Sequence, residues 1–94
     1  MAVARVVSFE GVSADRAEEL RGQIQGEAPP EGVPAKEIVF LHDGEGEKGL
    51  VILFFDSEED YARGDEVLNA MPAGDTPGRR ASVAKYGVVA RLST

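Results

Sequence analysis

Leu50-Val51-Ile52-Leu53-Phe54-Phe55 is an unbroken apolar run near the middle of a 94-residue chain. Successive side chains of a strand point to opposite faces. A strand made from this run is therefore apolar on both sides, the pattern of an interior strand covered above and below. Before it, Asp43-Gly44-Glu45-Gly46-Glu47-Lys48-Gly49 is polar and glycine-rich and reads as a hairpin loop. On the far side of that loop, residues 36–42 alternate, with Ile38, Phe40 and His42 on one face and Val39 and Leu41 on the other. After the run, Asp56-Ser57-Glu58-Glu59-Asp60 opens a helix. Asp56 or Ser57 can cap it, and the acids suit the positive end of the helix dipole.

The flanks repeat this order. Residues 2–10 predict a first strand, with Val3, Arg5, Val7 and Phe9 on one face and Ala4, Val6 and Ser8 on the other. Ser13 and Asp15 then start an amphipathic helix from Ala14 to about Gln25, its apolar positions Ala17, Leu20 and Ile24. Gly26 ends it, and Pro29, Pro30 and Pro34 hold the following connection out of helix. In the second helix Tyr61, Leu68 and Met71, with Ala62 and Val67, mark the buried side. Gly64 sits mid-helix at a propensity cost of roughly 1 kcal/mol, which points to a close neighbour there. Pro72 stops the helix, and Pro72–Gly78 is a second turn-rich loop. Residues 80–92 predict the last strand, with Val83 and Val89 on one face and Tyr86, Val88 and Leu92 on the other.

The order strand, helix, strand, strand, helix, strand predicts one α+β domain over 1–94. It is a ferredoxin-like βαββαβ arrangement with an antiparallel sheet in the order 4-1-3-2. Two helices cover one face of four strands. Apolar groups on both faces of strands two, three and four leave the second face without cover, and a second copy of the chain is the simplest cover. A standard interface of about 800 Å² per partner supplies a driving force of order 10 kcal/mol or more before association costs. The expected assembly is a homodimer through the sheet face, closed into a dimeric α+β barrel.

Composition narrows the partners. Seventeen acids against ten bases give a net charge of −7, which argues against nucleic acid and anionic membrane. There is no cysteine, hence no disulfide or thiolate site. No apolar run is long enough to span a bilayer, and the N-terminus does not read as a signal peptide. A cytoplasmic location is expected.

Four pieces carry a resemblance. They are Ala4-Arg5-Val6-Val7-Ser8-Phe9-Glu10-Gly11, the strand-into-helix stretch from Gly49 to Glu59, the helix Asp65-Glu66-Val67-Leu68-Asn69-Ala70-Met71, and the final stretch from Arg80 to Val89. Together they resemble the dimeric α+β barrel superfamily, in particular small proteins similar to the antibiotic-biosynthesis monooxygenases. The resemblance is one of pattern and covers nearly the whole chain. It implies the fold and the dimer. It carries no catalytic signature, and the superfamily includes cofactor-independent quinone-forming oxygenases, haem-degrading oxygenases, isomerases and proteins of no known activity. Haem-degrading members place their ligand histidine on a helix near a tryptophan and an asparagine. This chain has no tryptophan, and its single histidine falls on a strand.

Five side chains are candidates for holding a small hydrophobic or aromatic ligand: Arg5, His42, Tyr61, Asn69 and Tyr86. Arg5, with Lys85 and Arg91 on the neighbouring last strand, offers an inward cation for an acidic or phenolate group. His42 can act as a base or simply end its strand half-exposed. Tyr61, Asn69 and Tyr86 supply uncharged polar groups, or are two core tyrosines and a surface amide. His42, Asp43, Glu45 and Glu47 match no metal-ligand spacing and read as a solvated hairpin tip. Gly44, Gly46 and Gly49 precede a strand, not a helix, so they make no phosphate loop. Arg79-Arg80 reads as a basic pair in a loop. No nucleophile elbow, HExxH pair or serine triad is present. Neither a metal nor a cofactor is expected, and no catalytic residue is assigned.

Two functions remain. One is a non-catalytic or ligand-binding dimeric module, with an interior filled by Phe40, Phe54, Phe55 and Tyr86. The other is a cofactor-independent monooxygenase-like enzyme acting on an aromatic or polyketide-type substrate, with a cavity of several hundred Å³ reached by at least one of the five candidates. The scarcity of evident catalytic groups favours the first.

Overall fold

The computed structural model describes residues 2–26, 32–70 and 77–92. Its elements run β1 (Val3–Glu10), α1 (Ala14–Gly26), β2 (Glu37–Asp43), β3 (Lys48–Phe55), α2 (Glu58–Asn69) and β4 (Arg79–Gly87). The four strands form one antiparallel sheet in the order β2-β3-β1-β4. That is the expected order read from the other edge, and the α+β arrangement is compatible with a ferredoxin-like fold.

Both helix starts follow from capping. The Ser57 hydroxyl accepts from the Asp60 amide at 3.1 Å, with Glu58, Glu59 and Asp60 in the first turn. Ser13 does the same for the Arg16 amide at 3.1 Å. Each bond satisfies an amide that the helix itself leaves without a partner. The β2–β3 hairpin is tighter than its sequence suggests. Asp43 pairs with Lys48 across a four-residue loop, and the Asp43 carboxylate accepts from the amides of Glu45 and Gly46.

Register fixes which side chains share a face. Arg5 lies opposite Leu53 on β3 and Lys85 on β4, while Leu53 lies opposite Ile38 on β2. The helix side therefore carries Val3, Arg5, Val7, Phe9, Ile38, Phe40, His42, Val51, Leu53, Phe55, Val83 and Lys85. Here the core divides into two clusters. Val7, Phe9 and Val12 pack with Ala17, Phe40, Val51 and Val83. Val33, Leu53 and Phe55 pack with Ile38, Tyr61, Val67 and Leu68. The opposite side carries Val6, Ser8, Val39, Leu41, Leu50, Ile52, Phe54, Ala84 and Tyr86, and neither α1 nor α2 packs on it. Of the four rings expected to fill one interior, Phe40 and Phe55 face the helices. Phe54 and Tyr86 face the other way.

Three expectations need correction. The last strand stops at Gly87, so Val88, Val89, Arg91 and Leu92 lie beyond it. The Val88 amide still bonds the Ala2 carbonyl at 2.9 Å, just past the start of β1 at Val3. The remaining segment turns instead onto the helix-free side, where the Arg91 guanidinium lies 4.3 Å from the centre of the Phe54 ring and pairs with Glu37. Ala62 is exposed rather than buried, because only every third or fourth position of α2 faces the sheet. Arg79 and Arg80 open β4 rather than lying in a loop, and Arg79 pairs with Glu10. Met71, the proline-rich stretch 27–31 and residues 72–76 lie outside the described residues.

Gly64 is the close approach foreseen. It is buried, and a Cβ there would lie 2.6 Å from Cε1 of Phe55. Phe55 is almost wholly enclosed and cannot swing away. Gly64→Ala should therefore destabilise the fold by about 1–3 kcal/mol despite alanine's better helix propensity. Urea unfolding measures it, and a midpoint that rises would contradict this packing.

Candidate functional site

Tyr61, Asp65 and Asn69 stand four residues apart on α2, so they form one stripe along its axis. α2 packs over β1 and β3. Its stripe meets Arg5 beneath, and β4 flanks the pair on the open edge of the sheet. Arg5 is only 3% exposed. A guanidinium so enclosed must be paired. Its Nε donates to Asp65 Oδ1 at 2.9 Å and its Nη2 to Asn69 Oδ1 at 3.1 Å. The Asn69 amide nitrogen donates to the second Asp65 oxygen at 3.2 Å, which fixes the amide's orientation. Arg80 enters from the start of β4, its Nη2 donating to the same Asn69 oxygen at 2.6 Å. A register shift between Ser8 and Phe9 sets Arg80 opposite Phe9 and so onto the helix side.

Tyr61 completes this group. Its ring meets Phe55 edge-on at 5.7 Å between centroids. Lys85 lies 5.2 Å from the ring centre and pairs with Glu58 at 3.1 Å. Partial burial, reinforced by the Asp65 carboxylate, raises the phenol above its ordinary 10.0; the Arg5 and Lys85 charges act the other way. The hydroxyl thus keeps its proton through the neutral range.

The five candidates separate. Arg5, Tyr61 and Asn69 come together at the junction of β1, β4 and α2. His42 lies on the helix side near the hairpin end, its Nε2 2.8 Å from the Val12 carbonyl and its ring 6.4 Å from that of Phe40. That bond ties β2 to the segment after β1. Tyr86 is on the opposite side of the sheet and is 58% exposed. Lys85 joins Arg5 as expected from neighbouring strands, whereas Arg91, beyond β4, does not. Asp65 and Arg80 escaped the sequence reading. Spacing from Tyr61 to Asp65 to Asn69 was the available signal for the first. Arg80 had none, because it depends on the register shift.

A separate open depression of roughly 470 Å³ lies at the hairpin end of the helix-free side, lined there by Ser8, Glu10, Leu41, Asp43, Lys48 and Leu50. His42 borders it, but its Nε2 is engaged by Val12. Among the described residues, no three His, Asp or Glu side chains gather as a metal site, and no helix is long and apolar enough to cross a membrane. Neither a protein-family model nor a curated protein matches this chain.

Asp65 is 33% exposed, so breaking the Arg5 pair should fall at the low end of the buried-pair range. Asp65→Asn is expected to lose about 3 kcal/mol of unfolding free energy, and the double change Arg5→Met with Asp65→Leu to regain most of it, because no charge is then enclosed. Chemical denaturation of the three proteins checks this. Tyr61 adds a pH dependence. With its folded pKa raised, the native state holds the phenolic proton more tightly than the unfolded chain. Stability should fall as pH climbs past about 10, and Tyr61→Phe should flatten that fall. Equal slopes in both proteins would remove Tyr61 as its cause.

Proposed function

We propose that this chain is a cytoplasmic homodimeric α+β barrel protein, a non-catalytic or small-ligand-binding module whose second subunit covers the helix-free sheet face. One observation carries the reading. Val6, Val39, Leu41, Leu50, Ile52, Phe54, Ala84 and Tyr86 make a continuous apolar surface over four strands, with Leu41 50% and Tyr86 58% exposed. At strand and residue spacings of about 4.8 and 3.3 Å, these eight residues cover about 250 Å² in projection. That suits the apolar centre of an interface with a polar rim around it. A two-fold axis lays the same patch on itself, so every contact is made twice. The resemblance to the dimeric α+β barrel superfamily supports the same assembly, and the acidic, cysteine-free composition supports the location.

The module reading stands ahead of the monooxygenase-like one because, among the described residues, no general base is evident beside Arg5, Tyr61 and Asn69. The candidate base, His42, lies elsewhere on the sheet with its Nε2 engaged by the Val12 carbonyl.

Sedimentation at micromolar concentration should give a species of about 20 kDa, twice the 10.0 kDa of one chain. Ile52→Asp places a charge at the middle of the patch and should weaken association by more than about a hundredfold while leaving the helix-side core intact. A wild-type monomer under these conditions would overturn the reading.

A further inference from the structure

We propose that a small oxyanion binds where Asn69 of α2 meets the start of β4, held between the guanidiniums of Arg5 and Arg80. The inference rests on the ligand-binding form of the module and names its ligand class.

The charge count is the starting point. Three cations contact α2 from the strands: Arg5, Arg80 and Lys85. Two carboxylates oppose them, Asp65 on Arg5 and Glu58 on Lys85. Among the described residues no carboxylate lies within ion-pairing distance of Arg80. Its guanidinium instead donates to the Asn69 carbonyl, which already accepts from Arg5. Two like charges thus converge on one neutral oxygen. A carbonyl satisfies both hydrogen bonds and neutralises neither charge. A charged oxygen in its place makes bonds roughly twice as strong. Guanidinium forks fit the paired oxygens of a carboxylate or phosphate.

The surroundings favour the same ligand. Arg5 is buried and immobilised by Asp65, so little side-chain freedom remains to be lost on binding. Arg80 is exposed and gives the ligand access. The net charge of −7 disfavours an anion at long range. Screening reduces that effect beyond about 8 Å at physiological salt, whereas the ligand would sit within hydrogen-bond distance of two cations.

Titration of the full chain with sodium benzoate, and separately with sodium phosphate at constant ionic strength, tests the site through the arginine Nε–H and Asn69 amide resonances. Saturable shifts at Arg5, Arg80 and Asn69 with either anion are the expected result. Saturation with benzoate alone assigns an organic acid, and with phosphate alone a phosphate group. Arg80→Gln keeps a donor near Asn69 but removes the charge, and should weaken binding by about tenfold or more. Arg80→Lys keeps the charge and should weaken it less. Arg63→Gln, whose cation pairs with Glu59 on the exposed side of α2, should bind as wild type. Shifts that stay linear in both anions to about 20 mM, or saturable binding indifferent to Arg80→Gln in a folded protein, overturn the site. Sedimentation separates the two claims. A monomer that binds sinks the dimer and keeps the anion site, and a dimer that does not bind sinks the anion site alone.

Discussion

Leu53 and Phe55 leave β3 on one side, Ile52 and Phe54 on the other, and this chain has helix for only one of those directions. Strand geometry enforces the split, since adjacent residues cannot share a face. The helix side takes the larger and better-enclosed groups. Phe55, Val7 and Val12 are the most completely buried side chains. The other side keeps Ile52, Phe54 and Val6 half-buried by their own neighbours across the strands. Cross-strand contacts of that kind are worth tenths of a kcal/mol each, well below full burial of a large apolar side chain at about 1.5–3 kcal/mol. The stability still available to this fold therefore lies on its uncovered side.

Arg5 is the exception on the covered side, and its position explains why the polar cluster forms where it does. It occupies a helix-facing site on a central strand, where its neighbours on β1 are Val3 and Val7. Enclosure there requires a counter-charge, and α2 supplies it with Asp65 one helical turn before Asn69. The same demand leaves α2 over β1 and β3 rather than centred further toward the edge. The helix side of β4 is consequently a flank, where Lys85 and Arg80 extend along α2. The excess of positive charge beside α2 follows from where one buried guanidinium had to find its partner.

Much of this was visible in the residues alone. The two-sided apolar run placed β3 inside the sheet, and the capping serines and hairpin glycines placed both helices and the β2–β3 turn. Strand parity on β1 and β2 was also readable, although not which parity the helices would cover. The end of β4 was not. Val88 to Leu92 continues the apolar alternation, and nothing local distinguishes it from strand. It leaves the sheet just past the start of β1 at Val3, and Arg91 then seats on the Phe54 ring. The site was half readable for a related reason. Arg5 with Lys85 follows from strand adjacency, and Tyr61-Asp65-Asn69 from helix periodicity. Arg80 depends on a one-residue shift in register, which no side-chain pattern announces.

The segment after β4 bears on how completely the open face needs a partner. Arg91 lies over Phe54 and pairs with Glu37, so one end of that face already has a covering within the same chain. A guanidinium stacked on a ring shields its apolar surface while keeping its own charge near water. This device works at the rim, where Glu37 is available and solvent is close. It cannot work at the centre, over Val6 and Ile52, where a cation would be enclosed with no carboxylate nearby. Only an apolar surface can cover that centre without a desolvation penalty. Leu41 and Tyr86, prominently exposed on the same face as Val6 and Ile52, would provide such a surface on the second subunit proposed above.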